Sequence, residues 1–314
     1  MNGQRDLAID RFRGLAIVLM VLVNYLGGIG WVPAILKHAP DIGFTIADTV
    51  APMFIFAIGL TFKPSFDKRL GNGRLSAYTH FITRYFALVG IGALFSLGGT
   101  TVAGQPTDWG VLQAIGAAGL ICIIFIRFNW AVRLVLGVLL LCAYQFILNS
   151  WALGQVLSSV QGGFWGTLSW GGMLILATVM SDMWRRGMKP YILSCSIAAA
   201  LGAASAFLEP VSKNRVSISY VFITLAVSGF VYLLFQIGSR RVKLPAGFLC
   251  WWGENPITLY ILHLMILGCF ELPAVAWWYA DASAWLMALQ LILLFGALSA
   301  VAFAMHRRRL IIKL

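Results

Sequence analysis

At 314 residues, with 60% hydrophobic and only 11% charged side chains and a mean hydropathy of +0.86, the chain has too few charges to coat a water-soluble domain, which carries about a quarter. This excludes a soluble enzyme and indicates an integral membrane protein in the lipid bilayer. The net charge of +12 could suggest nucleic acid, but Lys and Arg lie in short clusters between apolar runs. They therefore read as topology signals and as a surface for anionic ligands, with no nucleic-acid partner expected.

Hydropathy punctuated by Gly, Pro and charge predicts an all-α polytopic protein of about ten transmembrane helices, at 12–31, 45–63, 79–98, 110–126, 131–148, 166–183, 190–208, 217–237, 255–271 and 285–305. Arg5, Arg11 and Arg13 precede the first run as in a secretory signal. No small-residue cleavage site follows and Asn24 interrupts the run, so an uncleaved first span is expected. With the N-terminus in the cytoplasm, the clusters Lys63 to Arg74, Arg127 and Arg133, Arg185 to Lys189, Arg240 to Lys243 and Arg307 to Lys313 share that side. The opposite side keeps only Lys37, Lys213 and Arg215. By the positive-inside rule the number of spans is even and both termini are cytoplasmic. The expected location is a bacterial inner membrane. No linker, low-complexity tract or internal repeat divides the chain, so residues 1–314 are expected to form a single transmembrane domain.

Chemistry concentrates in Asp10 to Thr61, where polar groups sit within or against two apolar runs; such groups are costly in hydrocarbon and mark candidate sites. Asp10 and Arg13, three apart on one helical face, read as a helix-end ion pair, or as leaving Arg13 facing a phosphate. Asn24 lies inside the first run, where it serves either helix packing or chemistry. His38 lies between the runs, as an interfacial anchor or as a base. Asp48 follows Thr45 by three, which fits a helix N-cap with an acid in the first turn, or a carboxylate orienting His38. Further on, Gln113 sits near the outer end of the fourth span, and Lys213 and Asn214 in the outer loop before the eighth. Asn255 precedes Pro256 at a helix start, with His263 eight residues along nearly the same face. Cys122, Cys142, Cys195, Cys250 and Cys269 have no paired spacing and read as packing residues. His38, His80, His263 and His306 lack ligand spacing, and no nucleotide-binding glycine pattern or GxSxG elbow occurs, so no metal is expected.

The runs IDRFRGLAIVLMVLVNY, KHA, TIAD with PMFIFAIG, VLQAIGAAG, PVSKNRVSISYVF and GENPITLYILH follow one another in the order found in the heparan-α-glucosaminide N-acetyltransferase family, which the chain resembles over nearly its whole length. It departs from that pattern in a longer Asn24 to His38 interval, in Ala114 after Gln113 and in lacking the lumenal extension. The resemblance implies transfer of an acyl group, typically acetyl, from cytoplasmic acetyl-CoA to an acceptor at the opposite face. It places the catalytic histidine on His38 and the membrane-embedded asparagine on Asn24.

Acyl transfer needs a base for the acceptor's proton and donors for the developing oxyanion. An imidazole suits the first task at neutral pH, so His38 is the expected base, or the transient acyl carrier of a two-step path. Asn24 is expected to hold the thioester carbonyl or the imidazole, and Asp48 to orient His38. Arg13, Asn255 and His263 are expected along the acyl-CoA path. Lys213, Asn214 and Gln113 are expected around an amino-sugar or glycan-type acceptor, bound for N- or O-acylation. The competing reading is a secondary transporter or flippase for an anionic solute or lipid-linked sugar, which would release no thiol from acetyl-CoA. A homodimer is left open.

Overall fold

A computed structural model describes residues 6–97, 101–102, 105–106, 109–241, 246–273 and 275–312. Arg5, Lys243 and Lys313 of the charge pattern, and position 98 of the third predicted span, lie outside the described residues. Among the described residues the chain is all-α apart from a two-residue antiparallel pair, β1 (Thr101–Val102) and β2 (Gln105–Pro106). Its helices are α1 (Leu7–Gly27), α2 (Val50–Leu70), α3 (Arg74–Leu97), α4 (Val111–Phe125), α5 (Trp130–Ile147), α6 (Leu153–Leu157), α7 (Gly163–Arg186), α8 (Met188–Ala206), α9 (Ile218–Arg241), α10 (Phe248–Glu254), α11 (Pro256–Glu271) and α12 (Ala284–Arg307).

Each of the ten predicted spans falls on one of these helices. By length and composition, five segments among the described residues can cross a bilayer: Ala47–Leu70, Trp130–Leu157, Val160–Arg186, Ile218–Arg241 and Ala284–Arg307. The protein is thus an all-α, multi-pass membrane protein. α1 falls outside that group because any 18-residue window within it includes Asp10, Arg11 and Arg13. It nevertheless starts where a capping residue directs: Asp6 Oδ1 accepts from the Ala8 N–H at 2.9 Å, satisfying one free donor of the first turn.

The chain packs as two compact units. Of the described residues, one unit comprises those within 6–38, 45–50 and 231–312; the other comprises those within 39–44 and 51–230. In the first, α1 packs along α10 and α11, and both of these pack against α12. The contact between α1 and α10 is backbone to backbone. A Cβ on Gly14 would lie 1.9 Å from the Leu249 carbonyl oxygen, and one on Gly253 would lie 1.9 Å from that of Asp10. Small residues allow helices this close an approach in a membrane, where packing rather than water exclusion holds helices together. The near end of α9 joins them through the hydrogen bond from Arg11 Nη1 to Ser239 Oγ at 2.6 Å.

In the second unit α7 is the central post, with α4, α5, α6 and α8 packed on it. Ser181 Oγ donates to the Leu60 carbonyl of α2 at 2.9 Å, and Phe62 of α2 stacks on Tyr85 of α3 with centroids 5.5 Å apart. Arg133 of α5 is fully buried against α7: Nη1 donates to Thr178 Oγ1 at 2.5 Å, Nε to the Phe128 carbonyl at 3.1 Å, and Nη2 pairs with Asp182. A buried guanidinium is tolerable only with its charge paired and its N–H groups used, as here.

The α1 and α10 contact makes a clear forecast. Gly14→Ala or Gly253→Ala forces the two backbones apart and destabilises the protein by about 1–3 kcal/mol, whereas Gly268→Ala, with open space at its Cβ, is neutral. Thermal unfolding of the detergent-solubilised variants, followed by tryptophan fluorescence, measures the difference.

Candidate active site

The segment between α1 and α2 folds back on the end of α1. A 3₁₀ turn, Ala34–Leu36, leads to Lys37, whose Nζ donates to the Gly30 carbonyl at 3.1 Å and also to that of Ile29. These carbonyls follow the last turn of α1, the end at which a cation is favoured. Lys37 is therefore engaged in holding the loop, and His38 is the next residue. Its ring is partly exposed, and Nδ1 lies 2.9 Å from Oδ1 of Asp48, which has no exposed surface.

Asp48 is held on its other oxygen by Thr45. The Thr45 N–H donates to Oδ2 at 3.1 Å, and Thr45 Oγ1 lies 3.0 Å from the same atom and donates to the Lys37 carbonyl at 2.7 Å. One half of a capping box is present: the acidic side chain reaches back to the backbone N–H three residues earlier. The other half is not, because the Thr45 hydroxyl turns to Lys37 instead, and α2 begins only at Val50 after a 3₁₀ turn, Ala47–Thr49. Thr45 is thus not the N-cap of α2 that its spacing from Asp48 suggested, and the Asp48 carboxylate contacts Thr45 on one oxygen and His38 on the other. An ionised carboxylate only accepts, so a neutral His38 ring paired with it carries its proton on Nδ1.

Asn24, in the last turns of α1, meets His263 of α11, its Nδ2 lying 2.9 Å from Nε2. Because Nδ2 only donates, Nε2 accepts and the imidazole proton is on Nδ1. That Nδ1–H is buried against the backbone of Tyr260 and Leu259, poorly aligned for a full hydrogen bond. Tyr260 packs on the ring at 5.1 Å between centroids. Arg13 and Asp10 form the expected helix-end pair at 3.9 Å.

Other expected site residues are occupied by the fold. The carboxamide of Asn255 is spent on the segment after α12, with Nδ2 donating to the Leu310 carbonyl at 2.9 Å and Oδ1 accepting from the Ile312 N–H at 2.8 Å. It precedes Pro256 at the start of α11 as expected, but its side chain makes no cap hydrogen bond. Gln113 is buried and caps α4, its Oε1 accepting from the Gly110 N–H at 2.9 Å and its Nε2 donating to Ser96 Oγ at 2.9 Å.

Lys213 is buried and Asn214 half-buried in the loop before α9, within the second unit. Asn214 Nδ2 donates to the Pro40 carbonyl at 2.5 Å, and Arg215 grips Asp41 through Nε at 3.0 Å and Nη2 at 2.5 Å. Ser212 Oγ adds a bond to the same carboxylate at 2.9 Å, and the Gly43 N–H donates to the Val211 carbonyl at 2.8 Å. The Arg215 guanidinium, with help from Ser212, holds the Asp41 carboxyl below the usual carboxylate range, and the carboxylate in turn raises Arg215. Asp41, Thr45 and Lys37 were not singled out as site residues by sequence reasoning. For Thr45 the signal was there, in an acid three positions on.

These features define a class: a multi-pass helical membrane protein that presents, between its first two long helices, a histidine backed by a buried carboxylate. Residues 5–164, just over half of the chain, match the sequence model of the family described as heparan-alpha-glucosaminide N-acetyltransferase, catalytic, and the chain belongs to that family. The heparan-alpha-glucosaminide N-acetyltransferase of Mus musculus is 35% identical over 142 residues, covering 41% of this chain and 20% of that protein. Its Homo sapiens counterpart is 35% identical over 122 residues, covering 35% and 17%. The chain thus aligns with about a fifth of the length of the curated relatives it matches. The family match includes Asn24, His38, Thr45, Asp48 and Gln113, and stops before Lys213, Asn214, Asn255 and His263.

The Asp41 and Arg215 clasp is open to test. A depressed folded-state carboxyl pKa means that its stabilisation is complete above the unfolded value and is lost as pH falls through the lower, folded one. The clasp therefore persists at neutral pH and opens only on strong acidification. Arg215→Ala removes it at neutral pH, and amide exchange at Gly43 quickens roughly fivefold, the weight of a partly exposed ion pair of about 1 kcal/mol; hydrogen-exchange mass spectrometry reads this directly.

Proposed function

We propose that the chain is a membrane-embedded acyltransferase that moves an acetyl group from cytoplasmic acyl-CoA to an amine or hydroxyl of an amino-sugar or glycan-type acceptor at the outer face. The observation that carries this reading is the contact between His38 Nδ1 and the buried Asp48 carboxylate, inside the region matched by the family's catalytic model. In this reading ten spans place both termini in the cytoplasm, where the clustered arginines and lysines meet the anionic nucleotide of the donor. Coenzyme A is too highly charged to cross the bilayer, and its pantetheine arm instead reaches inward between helices.

The His38 Nε2 lone pair takes the proton as the acceptor's nitrogen or oxygen attacks the thioester carbonyl. Asp48 keeps the ring in the Nδ1–H tautomer, and its negative charge offsets the imidazolium that forms. The carboxamide of Asn24 has a second N–H beyond the one directed at His263, suited to the oxyanion that develops on the thioester oxygen. Collapse of the tetrahedral intermediate breaks the C–S bond, and the departing thiolate takes the proton from His38. His263 belongs to the donor path in this scheme. Its contact with Asn24 supports that role, since it sets the two side chains together among helices that the pantetheine arm would enter. Arg13, half-buried at the inner end of α1, faces the donor phosphates.

Purified protein in nanodiscs, given acetyl-CoA labelled in the acetyl group and a glucosamine-type acceptor, is expected to release free thiol and yield labelled acceptor in equal amounts. His38→Ala lowers the rate roughly 10²- to 10⁴-fold, and Asp48→Asn lowers it less. Unchanged transfer by His38→Ala removes the base. Acceptor movement without thiol release identifies a carrier instead.

A further inference from the structure

We propose that Thr45 is a positioning residue that sets both the backbone and the ring of His38; this rests on the reading of His38 as the base. One side chain reaches both determinants of that histidine. Thr45 Oγ1 donates to the Lys37 carbonyl, the peptide group that joins Lys37 to His38, at 2.7 Å. The same oxygen lies 3.0 Å from Asp48 Oδ2, while the Thr45 backbone N–H donates to Oδ2 at 3.1 Å. Asp48 Oδ1 in turn holds His38 Nδ1 at 2.9 Å.

The hydroxyl has a single proton and two acceptors within reach. The shorter contact makes the Lys37 carbonyl its principal acceptor, and the backbone N–H then supplies a dedicated donor to Oδ2. Rotation about the C–O bond can direct the proton to Oδ2 instead, so the hydroxyl joins the two sides of the loop without a change of backbone. A residue used only as an N-cap would aim its oxygen at free N–H groups of the helix it starts. Thr45 aims it across the loop at the residue preceding His38. At metal centres, groups that orient an imidazole or a carboxylate from outside the ligand set change activity by roughly 10- to 100-fold when removed, although they touch no substrate, and the same order is expected of Thr45.

Thr45→Val keeps the β-branched shape and deletes only the hydroxyl, Thr45→Ala serves as a second deletion that cannot overpack, and Thr45→Ser keeps the hydroxyl alone. The expected results are a kcat lowered roughly tenfold in Thr45→Val and Thr45→Ala, an unchanged KM for acetyl-CoA, and near wild-type turnover in Thr45→Ser. In a double-mutant cycle, Thr45→Val adds nothing further on an Asp48→Asn background. A second readout needs no turnover: ring ¹⁵N signals of histidine-labelled protein show His38 as the Nδ1–H tautomer in wild type and Thr45→Ser, and as a mixture of tautomers in Thr45→Val. Wild-type tautomer populations in Thr45→Val and Thr45→Ala overturn the proposal, as does a Thr45→Ser variant impaired like Thr45→Val or a loss additive with Asp48→Asn. Failure of the parent reading looks different, with no labelled product from wild type or full activity in His38→Ala, and the tautomer measurement still decides the part played by Thr45.

Discussion

A carboxylate with no exposed surface stays ionised only if hydrogen-bond donors replace the water it has lost. Asp48 meets that condition with the His38 ring on one oxygen and Thr45 on the other, and this requirement organises the loop between the first two long helices. If the carboxylate were unpaired, the segment would have to open to let water in. With it paired, the imidazole proton is assigned, the Thr45 backbone is placed, and the start of α2 is displaced to Val50. The Lys37 side chain, engaged with the carbonyls that follow α1, secures the other end of the same loop. The orientation of the His38 ring is thus specified by Asp48, Thr45 and Lys37 of its own loop.

The same physical rule explains why several polar residues that looked functional in the sequence are structural in part. Gln113 and Asn255 each have their carboxamide committed to main-chain groups or a neighbouring hydroxyl, one closing the start of α4 and the other stapling the segment at 310–312. In hydrocarbon every exposed N–H and C=O needs a partner, and a side-chain amide with both a donor and an acceptor is an efficient one. His263 differs, because its well-formed bond is to another side chain, that of Asn24.

Much of the helical framework was legible in the sequence because it depends on composition over a long window. Each expected span coincides with a helix, and the errors lie at the ends, where charge misleads hydropathy. α1 starts at Leu7 rather than 12 because Asp6 caps it and Asp10, Arg11 and Arg13 lie within the helix. α2 continues to Leu70 rather than stopping at 63, carrying Lys63, Lys68 and Arg69 in helical geometry with Pro64 inside. α10, seven residues long, is too short for any such window, yet its Gly253 makes one of the closest backbone contacts of its unit. Of the site, the pairing of His38 with Asp48 could be anticipated because ten residues of loop separate them. The meeting of Asn24 with His263 joins positions 239 residues apart, and no local periodicity relates them. The same holds for Asp41 and Arg215, each of which is an ordinary loop charge until the fold brings them together.

The burial of Arg133 bears on how the protein is made. Its carboxylate partner, Asp182, lies 49 residues further along the chain, so the ribosome must extend well beyond α5 before the guanidinium has a counter-charge. Until then the guanidinium, in the first turn of α5, has neither its counter-charge nor the Thr178 hydroxyl, and burying it would leave its charge unpaired. The start of α5 therefore reaches its buried position only when α7 is delivered. The second unit is thereby assembled in an order dictated by charge neutralisation as well as by synthesis, with the central post arriving late and locking helices that were translated before it.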